Sequence, residues 1–450
     1  MPPKIDLYST PVHRRIDAIL ILLSIAIALL VVTSAARAGD KKGGARGDPT
    51  WTGATNAVWN LNSNWTPNTG YPNGPTDVAT FNTIANANTT LTLSSNVTVL
   101  SIGFGSGGSN AAAYAIGTTG GSSIVLSDGG DITVNSSVTT SQLINAPIVL
   151  GTGANTGSYP FVNNSTTANQ LLTIGGNVTS GTSNTGGTTT LTLDGSGNGI
   201  INGVISGNGS GNGSNTTATV AVSKSGAGTW TLSAVDTYSG KTTVNTNGGV
   251  LEISNNGTTT AGRLTATTQI IMNSGGTILL DGGATGSTDR INNAATVSMA
   301  GGTLKLSGTS EGTAATVGLG ALTLTSNSII DLSGTSLVHF AASNASPWTA
   351  NTTLSIYNWS GTLTLGGGLE EILFGSNNTA LTSAQLAQIR FYSDSGTTFL
   401  GTGGFTTTNT GEVVPVPEPS TWAAGGLTLL AVGWMSRKRL WARTFARIRA

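Results

Sequence analysis

Three copies of one phrase stand at a spacing that few folds accommodate. Gly248-Gly249-Val250-Leu251-Glu252-Ile253, Gly275-Gly276-Thr277-Ile278-Leu279-Leu280 and Gly301-Gly302-Thr303-Leu304-Lys305-Leu306 carry their second glycines 27 and then 26 residues apart. A β-branched residue sits five positions before each of those glycines: Val244, Ile271 and Val297. A unit of that length, built from short strands and glycine corners, cannot bury its apolar face alone. Stacking successive units buries it continuously, because the inward Val, Ile and Leu of one coil rest on those of the next. The spacing predicts the coils of a right-handed parallel β-helix.

The rest of the body supports an all-β fold. From about Thr89 to Phe340 the chain alternates aliphatic residues with Thr or Ser in short runs, as in Leu91-Thr-Leu, Ile132-Thr-Val, Leu191-Thr-Leu and Ile329-Ile-Asp-Leu. Alternation with period two marks strands with one buried and one wet face. The Gly, Asn and Asp between the runs supply the positive φ angles of tight corners. An antiparallel β-sandwich would also show short strands and turns, and stays open as the alternative.

One stretch carries more than periodicity. Val222-Ser-Lys224-Ser-Gly226-Ala-Gly228-Thr-Trp230-Thr-Leu232 continues to Tyr238-Ser-Gly240-Lys-Thr-Thr-Val244 and closes on Gly249-Val-Leu-Glu-Ile253. It resembles the autotransporter-associated β-strand repeat over residues 222–254. That resemblance implies a passenger-type β-helix displayed outside the cell. The expected column spans 86–345, between an N-terminal cap at 39–85 and a C-terminal cap segment at 346–411. No run of ten-residue amphipathic strands that could close an outer-membrane barrel follows it. Self-translocation is therefore not implied.

Both ends read as addresses. His13, Arg14 and Arg15 precede an apolar core from Ala18 to Val32, and Ala36-Arg37-Ala38 offers small residues at the two positions a signal peptidase reads. Residues 1–38 are expected to be a secretory signal peptide, and the mature chain to begin at Gly39. At the other end Val416-Pro417-Glu418-Pro419-Ser420 precedes an apolar run from Trp422 to Met435, then Arg437, Lys438 and Arg439. This tail, taken as 412–450, resembles the PEP-CTERM sorting signal. Its motif is 416–420, its single transmembrane sorting helix 421–436 and its basic stop 437–450. The resemblance implies an exosortase-type processing enzyme as partner, an inner-membrane-anchored precursor held by the C-terminal helix, and delivery to the cell surface or extracellular matrix. Leu381-Thr-Ser-Ala-Gln-Leu-Ala-Gln-Ile389 followed by Phe391 also resembles the closing region of such β-proteins. Its Thr382-Ser-Ala-Gln385 is a capping box, which predicts a short helix.

Composition removes several functions. The formal net charge is zero, but between Pro49 and Gly411 there are 13 acidic residues against Lys224, Lys241, Arg263, Arg290, Lys305 and Arg390. A body so poor in cations cannot neutralise phosphates, so no nucleic-acid partner is expected. Charged residues are 8% of the chain, where about 25% is usual. Thr, Ser, Asn and Gly take their place and leave a neutral hydroxyl and amide surface suited to exopolysaccharide or other surface glycans. With no cysteine, thiolate metal sites and Cys nucleophiles are excluded. His339 is the one histidine beyond the signal region and is expected to be a strand residue with a satisfied hydrogen bond.

No cofactor, metal or catalytic residue is expected. Asp194-Gly-Ser-Gly-Asn-Gly imitates the start of a calcium loop, but Ile205 stands where the bidentate glutamate belongs. Adjacent Glu370 and Glu371 should point to opposite faces of a strand. Polysaccharide lyases and hydrolases also use β-helices, so a glycan-active enzyme is the alternative to a structural or adhesive protein. Its closest candidate set is Asp281, Asp289, Arg290 and Lys305, which also reads as solvated corner residues. Trp51, Trp59 and Trp65 are expected to seal the open end of the column, or alternatively to form a sugar-stacking platform.

Overall fold

The computed structural model describes residues 48–152, 157–181, 187–207, 219–254, 262–283 and 288–417. The expected signal peptide with Ala36 and Ala38 lies outside the described residues. So do Glu418, Pro419, Ser420, the apolar run and Arg437, Lys438 and Arg439. Among the described residues no helix is long and apolar enough to cross a membrane.

Alternating strands become a parallel β-solenoid. One face is a 15-stranded sheet and a second is a 14-stranded sheet, and in both almost every strand pairs parallel with its counterpart one coil away. Shorter strands such as Ile148–Leu150, Val178–Ser180 and Ile205–Ser206 branch from the first sheet, and Ser336–Phe340 and Glu370–Phe374 belong to a separate three-stranded sheet. This parallel register rules out the antiparallel sandwich.

Register explains the stability. On the second face Ile116, Ile144, Ile174 and Ile201 stand in line and continue into Leu232, Ile253, Leu280, Leu306 and Leu332. All of them are buried. Burying each contributes about 1.5–3 kcal/mol, and the file repeats that gain at every coil without distant strand pairing. The repeated glycines turn the corners. Gly249, Gly275 and Gly301 all have positive φ, at 59°, 74° and 99°.

The column extends past its expected limits of 86 and 345. Val78–Phe81 already pairs parallel with Val97–Phe104, and Leu354–Tyr357 and Ile389–Tyr392 add further parallel strands. Both ends are then closed by a change of direction. At the N-terminal end Thr50–Trp51 pairs antiparallel with Trp65–Thr66, and Trp51, Trp59, Trp65 and Phe81 pack ring on ring, with Trp59 and Trp65 centroids 4.9 Å apart. The three indoles are buried, so they seal the end and offer no platform to a sugar. At the C-terminal end Phe399–Phe405 and Val413–Val416 form an antiparallel hairpin on Ile389–Tyr392. These caps leave only a short antiparallel strand as the edge at each of these ends, a smaller template for other chains than an open coil. The helix Ser383–Gln388 forms with the expected capping box, the Thr382 hydroxyl accepting from the Gln385 amide.

Candidate functional site

The residues that make the repeat recognisable are turned inward. Lys224 ends the strand Thr219–Lys224 fully buried. Its ammonium donates to the carbonyls of Ser225, Gly226 at 2.9 Å and Gly248 at 2.8 Å, tying its own corner to the next coil. Burial pulls its pKa down to about 8, against the pull of Asp194. Trp230 lies flat on the preceding coil, where a Cβ on Gly199 would stand 2.6 Å from its ring. Its indole N–H donates to the Asp194 carbonyl at 3.1 Å. Tyr238, Thr242 and Thr267 join hydroxyl to hydroxyl inside the wall, at 2.7 and 3.0 Å. These side chains lock corners and present nothing to a ligand.

The four candidate catalytic residues are each taken up by other contacts, although Asp281 lies within electrostatic reach of Arg290. Lys305 pairs outward with Asp331 at 3.0 Å. Asp281 accepts from the Gly283 amide, closing a turn, and Asp289 accepts from the Gly312 amide one coil further on. Arg290 corrects the sequence reading: it is no solvated corner but fully buried, donating to the carbonyls of Ile253 at 3.2 Å and Gly262 at 3.3 Å. Beside it sits Glu311, which sequence reasoning passed over. Its carboxylate is buried and accepts from the Arg290 and Ile291 amides at 2.7 and 3.2 Å. Burial, with Asp289 adding to it, outweighs these bonds and Arg290, and pushes its pKa up to about 8. In the sequence Glu311 precedes a glycine like any turn residue, so only its partner some 20 residues away reveals it.

The remaining polar candidates are accounted for. His339 is held between the carbonyls of Thr313 at 2.6 Å and Gly375 at 2.7 Å, as its expected satisfied hydrogen bond requires. Glu370 is buried against the Ser360 hydroxyl, while Glu371 on the opposite side of the strand is half-buried. Asp194 accepts from the Gly195 amide at 2.7 Å in an ordinary turn. Among the described residues no group of three or more acidic or histidine side chains could hold a metal.

What faces solvent is hydroxyl chemistry. The outward sides of Thr188–Asp194, Thr219–Lys224 and Thr242–Val244 line a groove of about 530 Å³. Thr192 stands opposite Ser223, and Ser223 opposite Thr243, one strand spacing apart. The Thr188 and Thr219 hydroxyls are 2.9 Å apart. Lys241 is exposed in this groove and makes no ion pair among the described residues. Period-two alternation foretells outward threonines, but not which coils place them around a lone ammonium.

The sorting motif starts inside the folded body. Val416 belongs to the strand Val413–Val416 and stands opposite Thr402, so Pro417 is the first motif residue off the sheet. Glu412, expected to open the tail, instead accepts from the Gly367 amide at 2.8 Å within the body.

Comparison with known families gives two matches. Residues 222–253 match the passenger-associated-transport-repeat model, and residues 415–439 match the PEP-CTERM protein-sorting motif. No curated protein and no solved structure matches the chain. With the solenoid fold, the two matches describe an exported, surface-directed β-solenoid protein, and the sorting motif implies processing by an exosortase.

Proposed function

We propose that this chain is a structural or adhesive column of the cell surface or extracellular matrix, without catalytic activity. Its coils are right-handed, as crossovers between parallel strands of one sheet almost always are. It travels as a precursor held in the inner membrane by residues 421–436 and is released by an exosortase acting at Val416–Ser420. One observation carries the reading. Arg290, Lys224, Glu311 and Asp236 are buried, while the outward face offers neutral hydroxyls at strand spacing around Lys241. Such a face makes many weak hydrogen bonds to glycans, and Lys241 favours those bearing carboxylates.

The binding test uses alginate, pectin and the host's own exopolysaccharide on a solid support. Weak retention is expected, with no new reducing ends or unsaturated products. Lys241→Gln should weaken retention on the uronate polymers by up to about fivefold, the reach of one exposed charge contact, and leave a neutral polymer unaffected. Turnover abolished by Asp281→Asn, Asp289→Asn or Lys305→Gln would establish the lyase or hydrolase alternative instead.

The sorting reading has its own test. With Pro417, Glu418 and Pro419 all changed to alanine, the protein should remain in the inner-membrane fraction and still carry Trp422 to Ala450. If that variant reaches the surface as efficiently as the parent, the motif is not the signal.

A further inference from the structure

Six large apolar side chains are exposed among the described residues, and five of them belong to the last layer of the column: Leu363, Leu365, Leu369, Phe399 and Val416. Leu365 and Leu369 are 62% and 61% exposed, a large apolar display for a chain whose other aliphatics are so thoroughly buried. The loop that carries the leucines is locked in place. Gly366, Gly367 and Gly368 all hold positive φ, at 75°, 69° and 118°. The Gly367 amide donates to the Glu412 carboxylate, and the Leu369 amide to the Ser360 hydroxyl. Any side chain at Gly366 would meet the Glu412 carboxylate at 2.3 Å, so this loop is shaped around the strand that leads into the sorting motif.

The second observation is the shortness of the tether. Val416 is still paired to the body, and only Glu418, Pro419, Ser420 and Thr421 separate Pro417 from Trp422, where the apolar run begins. Fully extended, those steps span at most about 18 Å. A body tied so closely to a membrane segment must stand with this end near the bilayer.

We propose that the last layer of the column is a membrane-resting foot, in which Leu365 and Leu369 seat in the headgroup region of the bilayer before the tail is processed. The proposal rests on the reading that residues 421–436 insert into the membrane. Its lipid partner is a zwitterionic surface. Glu412 is buried and, among the charges at this end, the exposed Arg390 over the Phe399 ring at 5.9 Å is offset by the half-buried Glu371, so the end carries no charge excess that would select anionic headgroups. Seating apolar side chains about 5–10 Å into the interfacial region is how surface-bound segments hold to bilayers.

The chain has no cysteine, so single probes can be placed without ambiguity. Full-length Leu365→Cys and Leu369→Cys, and Thr192→Cys on the outward wall as control, are labelled with a fluorophore and reconstituted in phosphatidylcholine vesicles. Flotation comes first: protein that does not float with the vesicles refutes insertion of the tail, independently of the foot. In floated protein the probes at 365 and 369 should lose most of their emission to a shallow lipid-borne nitroxide and little to aqueous iodide, with the reverse at 192. Quenching of all three by iodide alone would overturn the foot. So would protection at 365 and 369 that grows with protein concentration and is insensitive to the nitroxide, since that outcome assigns the leucines to a second copy.

Discussion

Replacing Trp230 with alanine is expected to cost about 3–5 kcal/mol, the range for removing a large buried aromatic. Trp230 is fully buried, and the coil beneath it has a glycine at position 199 because the indole occupies the space of a side chain. Truncation leaves a void the width of a ring between two coils, and Gly199 has nothing to fill it with. It also removes the indole donor from the Asp194 carbonyl. In a solenoid each coil is stabilised mainly by its neighbours, so the damage should concentrate around residues 198–253. Urea unfolding measures the total, and hydrogen exchange locates it. Thr192→Ala, an outward change on the other sheet, is the control and should stay within about 0.5 kcal/mol. A loss below about 1 kcal/mol at Trp230 would mean that the repeat's tryptophan does not hold the coils together.

The second large effect is on pH dependence. Glu311 has its pKa raised from 4.5 to about 8, and Asp236 is raised in the same direction by burial. A raised carboxyl pKa means that the folded state holds the proton more tightly than the unfolded one. Stability is then full below the unfolded value and falls as pH rises from about 4.5 through about 8. Each tenfold difference in proton affinity is worth about 1.4 kcal/mol, so Glu311 alone accounts for a fall on the order of 4 kcal/mol. Glu311→Gln keeps the shape and an acceptor for the Arg290 amide while removing the titration. Urea midpoints at pH 5, 6.5 and 8 should decline in the parent and flatten markedly in the variant. A parent whose stability is constant or rising across that window would show that Glu311 is ionised and well paired instead.

Much of this protein is legible in residue spacing because the information is local. A two-residue alternation says which side chains point inward, and a 26- to 27-residue return of Gly-Gly followed by an aliphatic strand says that the units stack. The capping box Thr382–Gln385 is equally local, its partners being three residues apart. The phrases of the repeat at 222–253 and of the sorting tail at 415–439 are contiguous, and both are readable for the same reason.

Other assignments required neighbours that the chain brings together only by coiling. Arg290 and Glu311 resemble solvated corner residues in the sequence, and what buries them is a set of carbonyls and amides on adjacent coils, 20 to 37 residues away. Lys224 is a cation like Lys241 until Gly248, from the next coil, supplies a carbonyl that draws it inside. Val416 reads as the first residue of the sorting motif, yet the hairpin partner Thr402 makes it the last strand residue of the body. Hydrophobic period sets which face of a strand is wet, since burial of aliphatic side chains decides it. The place of a polar residue at a corner depends on which unpaired backbone groups the stacking leaves within its reach, and that is settled only when one coil lies on the next.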